Sequence, residues 1–379
     1  MTTKENPNAF KHQLNHDLVK KMAKAITLQT KKFDSAKFIG LHKNIHTLEL
    51  KARVQLISQS LAQCLPVSYP QALKIILATC QKPKLKPKLK VKLAGFELWP
   101  FTEFIQTYGL DHFKISMDAL SKLTVLFTAE FAVRPFFVKY EKASYSYLLK
   151  QTESKNVHLR RWASEGSRPL LPWGLKLQNA VKNPKSGLQI LDKLKFDQEL
   201  YVRKSVANHL NDISKSRPDL VVATLNRWLK TCPKQHKKSI LWIQHQALRT
   251  LIKKGHTSAL KSIGYGETPR VQIPNLILNQ STFKIGEILH FKFNVQSKSL
   301  KTQNLVIDYS VHFKKSNGKN SEKVFKLKKM SLKPKENISI EKKHSLKQIT
   351  TRVYYSGVHF IEIQINGKKW IKKSWSLSV

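Results

Sequence analysis

The hydrophobic period of this chain changes once, near residue 266, and that change fixes most of what it can fold into. From Asn8 to about Gly266, apolar residues recur three and four positions apart, as in Leu18, Met22, Ala25 and Ile26, or Leu241, Ala247, Leu248 and Leu251. That spacing lines one face of an α-helix. Prolines at 66, 135, 169, 172, 218 and 233 punctuate the series, each removing a backbone donor and stopping a helix from simply continuing. Beyond Gly266 the segments 287–295, 305–313, 324–327 and 358–365 alternate, or fill with β-branched and aromatic residues, as half-buried strands do. Two domains are expected, a helical one over 1–266 and a β one over 267–379, joined near Gly264 to Arg270.

Self-comparison sharpens the helical half. The segment Val157-His-Leu-Arg-Arg-Trp-Ala can be laid over Leu200-Tyr-Val-Arg-Lys-Ser-Val and over Leu241-Trp-Ile-Gln-His-Gln-Ala, offsets of 43 and 41 residues. That period matches two-helix HEAT-type repeats, which stack into a solenoid; unrelated helices of similar length are the competing explanation. In the β half, turn signals at Ser316-Asn-Gly, Lys333-Pro and Asn366-Gly divide six or seven short strands, the pattern of an immunoglobulin-like sandwich. The expected fold is thus multidomain, an all-α HEAT-like repeat solenoid followed by an all-β immunoglobulin-like sandwich.

Charge narrows the partner. With 68 Lys plus Arg against 24 Asp plus Glu, the net charge is +44, which favours a polyanion such as nucleic acid or an anionic membrane surface. A lysine-rich composition contributes to that excess, so charge alone does not choose between them. Three cysteines, at 64, 80 and 232, show no CxxC spacing, which argues against a disulfide framework or zinc ribbon and fits a reducing cytosol. The first residues carry no signal-peptide core, and no apolar run approaches the roughly 18 residues of a membrane span. A soluble, cytoplasmic protein is expected, with no membrane partner. The stretch from Lys82 to Leu93 alternates lysine with proline and leucine; prolines bar a regular helix, leaving a solvated charge run or a phosphate contact.

Acids are scarce enough to be informative. Glu130 is the single acid in Leu123-Thr-Val-Leu-Phe-Thr-Ala-Glu-Phe-Ala-Val-Arg-Pro-Phe-Phe, and burying it uncompensated would cost several kcal/mol. Either a partner offsets that cost or the carboxylate faces a functional cleft. Arg134 four residues after Glu130, and Arg161 four before Glu165, offer ion pairs on a helix face as the structural alternative. Asp212 closes Val206-Ala-Asn-His-Leu-Asn-Asp one repeat after Glu165 and has an equally plain reading as a residue at a helix end. Trp162 and Trp173 are candidate core residues, although Pro172 should leave the Trp173 indole at a rim. His12 and His16, and His42 and His46, have i,i+4 spacing without a third ligand, so no metal is expected. No phosphate-binding glycine loop or nucleophile elbow occurs in the sequence.

Three stretches together carry a resemblance: Ala129-Glu-Phe-Ala-Val-Arg-Pro-Phe, Arg160-Arg-Trp-Ala-Ser-Glu-Gly-Ser-Arg-Pro-Leu-Leu-Pro-Trp and Ser205-Val-Ala-Asn-His-Leu-Asn-Asp. They are similar to the AlkC branch of the HEAT-like alkylpurine DNA glycosylases, over essentially the whole helical region; some members also end in an immunoglobulin-like domain. The resemblance implies hydrolysis of the N-glycosidic bond of a cationic methylated purine, chiefly 3-methyladenine, in duplex DNA. It implies an abasic product, no cofactor, no base flipping and a monomer. Carried over residue by residue, it implies Glu165 as the dominant catalytic group, Glu130 and Asp212 in sugar stabilisation and water positioning, and Trp173 against the deoxyribose. Arg160, Arg161, Arg168, Arg203, Lys204 and Arg134 would contact DNA; separately from the resemblance, Lys314, Lys315 and Lys319 cluster near one turn of the sandwich, from which they could grip the backbone or groove. Trp162 and Ser205 match no role, and the run from Lys82 to Lys92 is a departure. The competing function is a non-catalytic HEAT-repeat protein that clamps nucleic acid.

Overall fold

A computed structural model describes residues 9–65, 68–80, 92–265 and 268–379; residues 82–91 of the basic run lie outside them. The chain divides into two compact units, Met1–Ile213 and Ser214–Val379.

The first unit is helical, and its helices begin where the sequence supplies caps. Asn15 accepts from the Leu18 N–H at 2.9 Å to start His16–Thr27, which buries Leu18, Val19, Met22, Ala25 and Ile26, the apolar stripe of the i, i+3, i+4 pattern. Asn156 likewise accepts from His158 N–H and opens Val157–Gly166. That helix packs against Leu200–Ile213, so two of the three mutually similar segments are neighbours in space. Trp162 lies in the core at 1 % exposure, edge-on to Tyr147. A buried arginine ties the unit's first turns together: the Arg53 guanidinium donates to the carbonyls of Lys11, Leu14, His46 and Leu48, supplying donors to acceptors at helix ends.

The second unit begins with helices Pro218–Lys230, Lys237–Ala247, Arg249–Lys253 and Thr257–Ser262, the second of which contains the third similar segment. Among the described residues nine strands follow: β1 Val271–Gln272, β2 Leu276–Leu278, β3 Thr282–Lys284, β4 Ile288–Ser297, β5 Gln303–Lys314, β6 Asn320–Leu332, β7 Asn337–Ser345, β8 Gly357–Ile365 and β9 Lys368–Ser378. One sheet sets β4 between β7 on one side and β1 and β2 on the other; the second has the order β3-β9-β8-β5-β6, with only β3–β9 parallel. Alternating inward residues, among them Phe283, Phe291, Phe293, Tyr309, Ile361 and Trp375, form the core, as two stacked antiparallel sheets require.

The β8–β9 turn is Asn366-Gly367, both with positive φ (46° and 77°), the two-residue turn whose twist matches the flanking strands. Its tip meets the end of the Arg249–Lys253 helix. Gly255, also at positive φ (71°), packs backbone to backbone against Gly367, so that a Cβ on Gly367 would fall on the Gly255 Cα. Gln364 Nε2 donates to the Lys253 carbonyl at 3.0 Å beside this contact. Gly367→Ala should therefore cost about 2–5 kcal/mol, from left-handed strain plus a clash with backbone. Gly318→Ala at the open β5–β6 turn, with φ of 75° and no neighbour within 4 Å, should cost only about 1 kcal/mol. Urea midpoints check the difference, and equal losses would contradict the contact's importance.

Candidate active site

Two of the carboxylates sit where helices tolerate them least. Glu165 is the penultimate residue of Val157–Gly166, and Asp212 that of Leu200–Ile213. Both lie at the negative end of a helix dipole, so each needs a cation close by. Arg168 serves both: its Nη1 donates to Glu165 Oε1 at 2.6 Å and its Nε to Asp212 Oδ2 at 2.8 Å. Arg161 does the same one step away, donating to Glu130 Oε2 at 2.9 Å and approaching Glu165 Oε1 to 3.7 Å. The result is an alternating ladder, Glu130, Arg161, Glu165, Arg168, Asp212, three anions on two cations.

The ladder is largely dry. Glu165 is 5 % exposed, Asp212 and Arg168 are buried, and Glu130 reaches solvent further. Burial pushes the Glu165 carboxyl up, but Arg168 and Arg161, with a hydrogen bond from Ser205, together hold it below its ordinary value, the ion-pair effect exceeding desolvation. Ser205 Oγ also lies 2.9 Å from Ser164 Oγ, and the wholly buried His209, pushed down to about 3 by burial and by Arg168, contacts the Ser164 carbonyl through Nδ1 at 3.0 Å. A neutral imidazole at that nitrogen must be the N–H donor. Gly187 makes room for it, since a Cβ there would stand 3.0 Å from His209 Nε2.

Glu130 lies in the turn before Arg134–Lys139. Arg134 therefore opens that helix instead of standing one turn inside it, and the expected Glu130–Arg134 pair on a helix face does not form. Thr128 Oγ1 and Arg161 hold Glu130 instead. The Arg161–Glu165 spacing is present as expected, though longer than either Arg168 contact. Arg134 is fully buried: its guanidinium donates to the carbonyls of Gly166 (3.0 Å), Arg168 (2.8 Å) and Leu175, tying the end of one helix to the loop that follows. In that loop Trp173 stands at the surface, 66 % exposed and with φ of 65°, its carbonyl held by Lys51 Nζ at 2.7 Å.

The remaining basic candidates lie elsewhere. Arg160 forks onto Asp197 (2.6 and 3.2 Å), and Arg203 donates to the carbonyls of Asp197 and Gln198, so both brace the turn before Leu200–Ile213; Lys204 is exposed. Sequence reasoning missed Tyr201, whose exposed ring lies 4.7 Å beneath the Arg161 guanidinium, and gave Ser205 no role. Neither has a local signal, because both act on residues some 40 positions away in the chain. Among the described residues one group has metal-ligand geometry, His312, Glu322 and Glu362 on the sandwich, but the Lys369 ammonium lies 3.0 Å from both glutamates, making it an ion-paired cluster.

Residues 272–379 match the family described as "Uncharacterised protein YhaZ, C-terminal Ig-like domain". The Uncharacterized protein YhaZ of Bacillus subtilis (strain 168) is 39 % identical over 321 residues, covering 85 % of each chain. A solved structure, the Pseudomonas fluorescens alkylpurine DNA glycosylase AlkC bound to DNA containing an abasic site analogue, is 34 % identical and superposes with a TM-score of 0.87 over 98 % of this chain and 100 % of that one. The fold is accordingly a helical-repeat solenoid followed by an immunoglobulin-like sandwich. No helix among the described residues is long and apolar enough to cross a membrane.

Arg134→Met should strand three carbonyls without donors at about 1–3 kcal/mol each, a loss of at least ~3 kcal/mol in urea unfolding. Because the folded state holds the Glu165 carboxyl below its ordinary 4.5, the unfolded chain takes up that proton first on acidification. Its stabilisation is complete above pH 4.5 and is lost as pH falls through the lower folded value, which is the direction proton linkage demands. Glu165→Gln should accordingly flatten the acid limb of stability against pH, followed by urea midpoints.

Proposed function

The chain belongs to the AlkC branch of the HEAT-like alkylpurine DNA glycosylases, and on that premise we propose that it hydrolyses the N-glycosidic bond of cationic alkylated purines, chiefly 3-methyladenine, in duplex DNA. The carrying observation is the ladder of Glu130, Glu165 and Asp212 on Arg161 and Arg168. An N3-alkylated adenine already bears positive charge, so the base needs no protonation to leave. What remains is to stabilise the oxocarbenium character at C1′ and to activate a water, and carboxylates do both.

In this reading Glu165 faces C1′ in the transition state, with Glu130 and Asp212 sharing charge stabilisation and water positioning. Trp173, exposed on its strained loop, adds a cation–π contribution against the sugar. Arg161 is the cation that must give way: a DNA phosphate competes for its guanidinium, and Tyr201 beneath it supports the displaced plane, opening Glu165 and Glu130 to the sugar. Arg168 stays and keeps the acids ionised. Arg160, Arg203 and Lys204 would meet the backbone, while Arg134 holds the loop from inside. Residues 1–266 would form the glycosylase region and 267–379 a sandwich that grips DNA through Lys315 and Lys319 beside the β5–β6 turn. The enzyme would act as a cytoplasmic monomer, without cofactor, leaving the base outside any flipped-base pocket at cleavage.

The expected result is release of free 3-methyladenine from methylated duplex DNA by the purified chain, with Glu165→Gln slowing single-turnover release by at least ~10²-fold while DNA affinity is kept or improved. A wild-type protein that binds duplex DNA well and releases no base would favour the non-catalytic clamp. No lysine is assigned as a covalent nucleophile, so borohydride should trap no protein–DNA adduct.

A further inference from the structure

A cavity of about 280 Å³ opens beside Trp173, lined by Trp99, Phe131, Glu103, Gln106 and Lys51 together with Trp173 itself. The mechanism above uses only one of these six. Trp99 and Phe131 stack at 5.6 Å with planes 20° apart, forming an aromatic wall. Phe131 directly follows Glu130, and the opposite rim, Gly174 and Leu175, belongs to the loop that Arg134 ties to the end of the Glu165 helix. Lys51 closes one side through its bond to the Trp173 carbonyl. Glu103 is half-buried here, its carboxyl pushed up by burial and drawn back in part by Gln106 and Lys51. The cavity thus shares its backbone walls with the ladder but offers different chemistry: stacking surface, amide and carboxyl groups, and no array of anions.

We propose that this cavity is a product subsite that seats the free purine base after it leaves the sugar. The proposal rests on the glycosylase reading and adds to it where the leaving group goes. When the C1′–N9 bond breaks, its electron pair stays on N9 and cancels the charge of the alkylated ring. Water adds to C1′ and passes its proton to a carboxylate or to solvent. The base is then neutral and loses the attraction of Glu130, Glu165 and Asp212, while keeping its flat surface and its hydrogen-bonding edge. Aromatic walls suit the first, and a glutamine amide offers the donor and acceptor pair that matches the amino group and N7 of an adenine. Glu103 accepts from an N–H of the amino group, the one donor the neutral base retains. The volume lies just below the roughly 300–1,000 Å³ of pockets for drug-sized ligands, enough for one bicyclic base and short of a base with sugar and phosphate.

The test uses the full chain without DNA and free 3-methyladenine as the probe, followed by titration calorimetry and saturation-transfer NMR, with cytosine as the control base. Saturable binding of 3-methyladenine in preference to cytosine is expected. Glu103→Leu removes the acceptor and Leu175→Trp, at a half-exposed rim residue, fills the cavity; each should weaken binding about tenfold. Glu103→Leu should leave single-turnover cleavage of methylated DNA unchanged and relieve inhibition by added 3-methyladenine during multiple turnover, whereas Leu175→Trp, two residues from Trp173, is read by binding of the free base alone. Absence of saturable binding to the wild-type chain, or undiminished binding by Leu175→Trp, overturns the proposal. A chain that cleaves but binds no free base sinks this subsite alone; a chain that cleaves nothing sinks the glycosylase reading, whatever the binding result.

Discussion

Alternation of charge along five side chains governs this structure. A lone carboxylate withdrawn from water loses several kcal/mol of hydration, and two of the three here also sit at helix C-termini, where the backbone itself repels them. Each arginine is shared between two acids. Glu130 comes from a turn, Arg161, Glu165 and Arg168 from one helix and its exit, and Asp212 from the next repeat, so the ladder also fastens three segments of the first unit to one another. Behind it, Arg134 fixes the loop that carries Trp173, and Ser164, Ser205 and a neutral His209 complete the polar layer without adding charge.

The ladder and the rest of the chain work over different distances. A net charge of +44 acts on a polyanion until salt screens it, over a Debye length of about 8 Å at physiological ionic strength. The ladder, with one more anion than cation, acts at contact range in a dry environment where a neighbouring charge counts for more. The first would draw in a polyanion, and the second would act only on a cation brought into contact with it. These two requirements conflict unless the acids are few, clustered and sheltered, which is the arrangement observed.

Much of the fold was legible because it follows from period alone. The helical series and the strands at 287–295, 305–313 and 358–365 follow local pattern. The lysine-rich strands β7 and β9 carry a weaker alternation, because charged residues fill their solvent face and interrupt it. At the site, Glu130 stood out as an acid isolated in apolar sequence, and Pro172 pointed to an exposed Trp173. The partners did not stand out. Which arginine meets Glu130 depends on where a helix begins: it starts at Arg134 and not a turn earlier, so Glu130 pairs with Arg161, 31 positions on, and not with the neighbour four positions away. Tyr201, Glu103 and Lys51 act only through tertiary proximity, for which a single sequence holds no signal.

The two hairpin tips of the larger sheet differ in their freedom to vary. At Ser316 to Gly318 the β5–β6 turn is exposed, and a Cβ on Gly318 has no neighbour within 4 Å, so extra residues are tolerated there as at most exposed loop tips. At Asn366-Gly367 the β8–β9 turn is closed against the Gly255 backbone with no room for a methyl group. Lineages diverging from this chain should accumulate insertions and charge changes at the first tip, remodelling whatever it touches. The second should keep its length and its paired glycines.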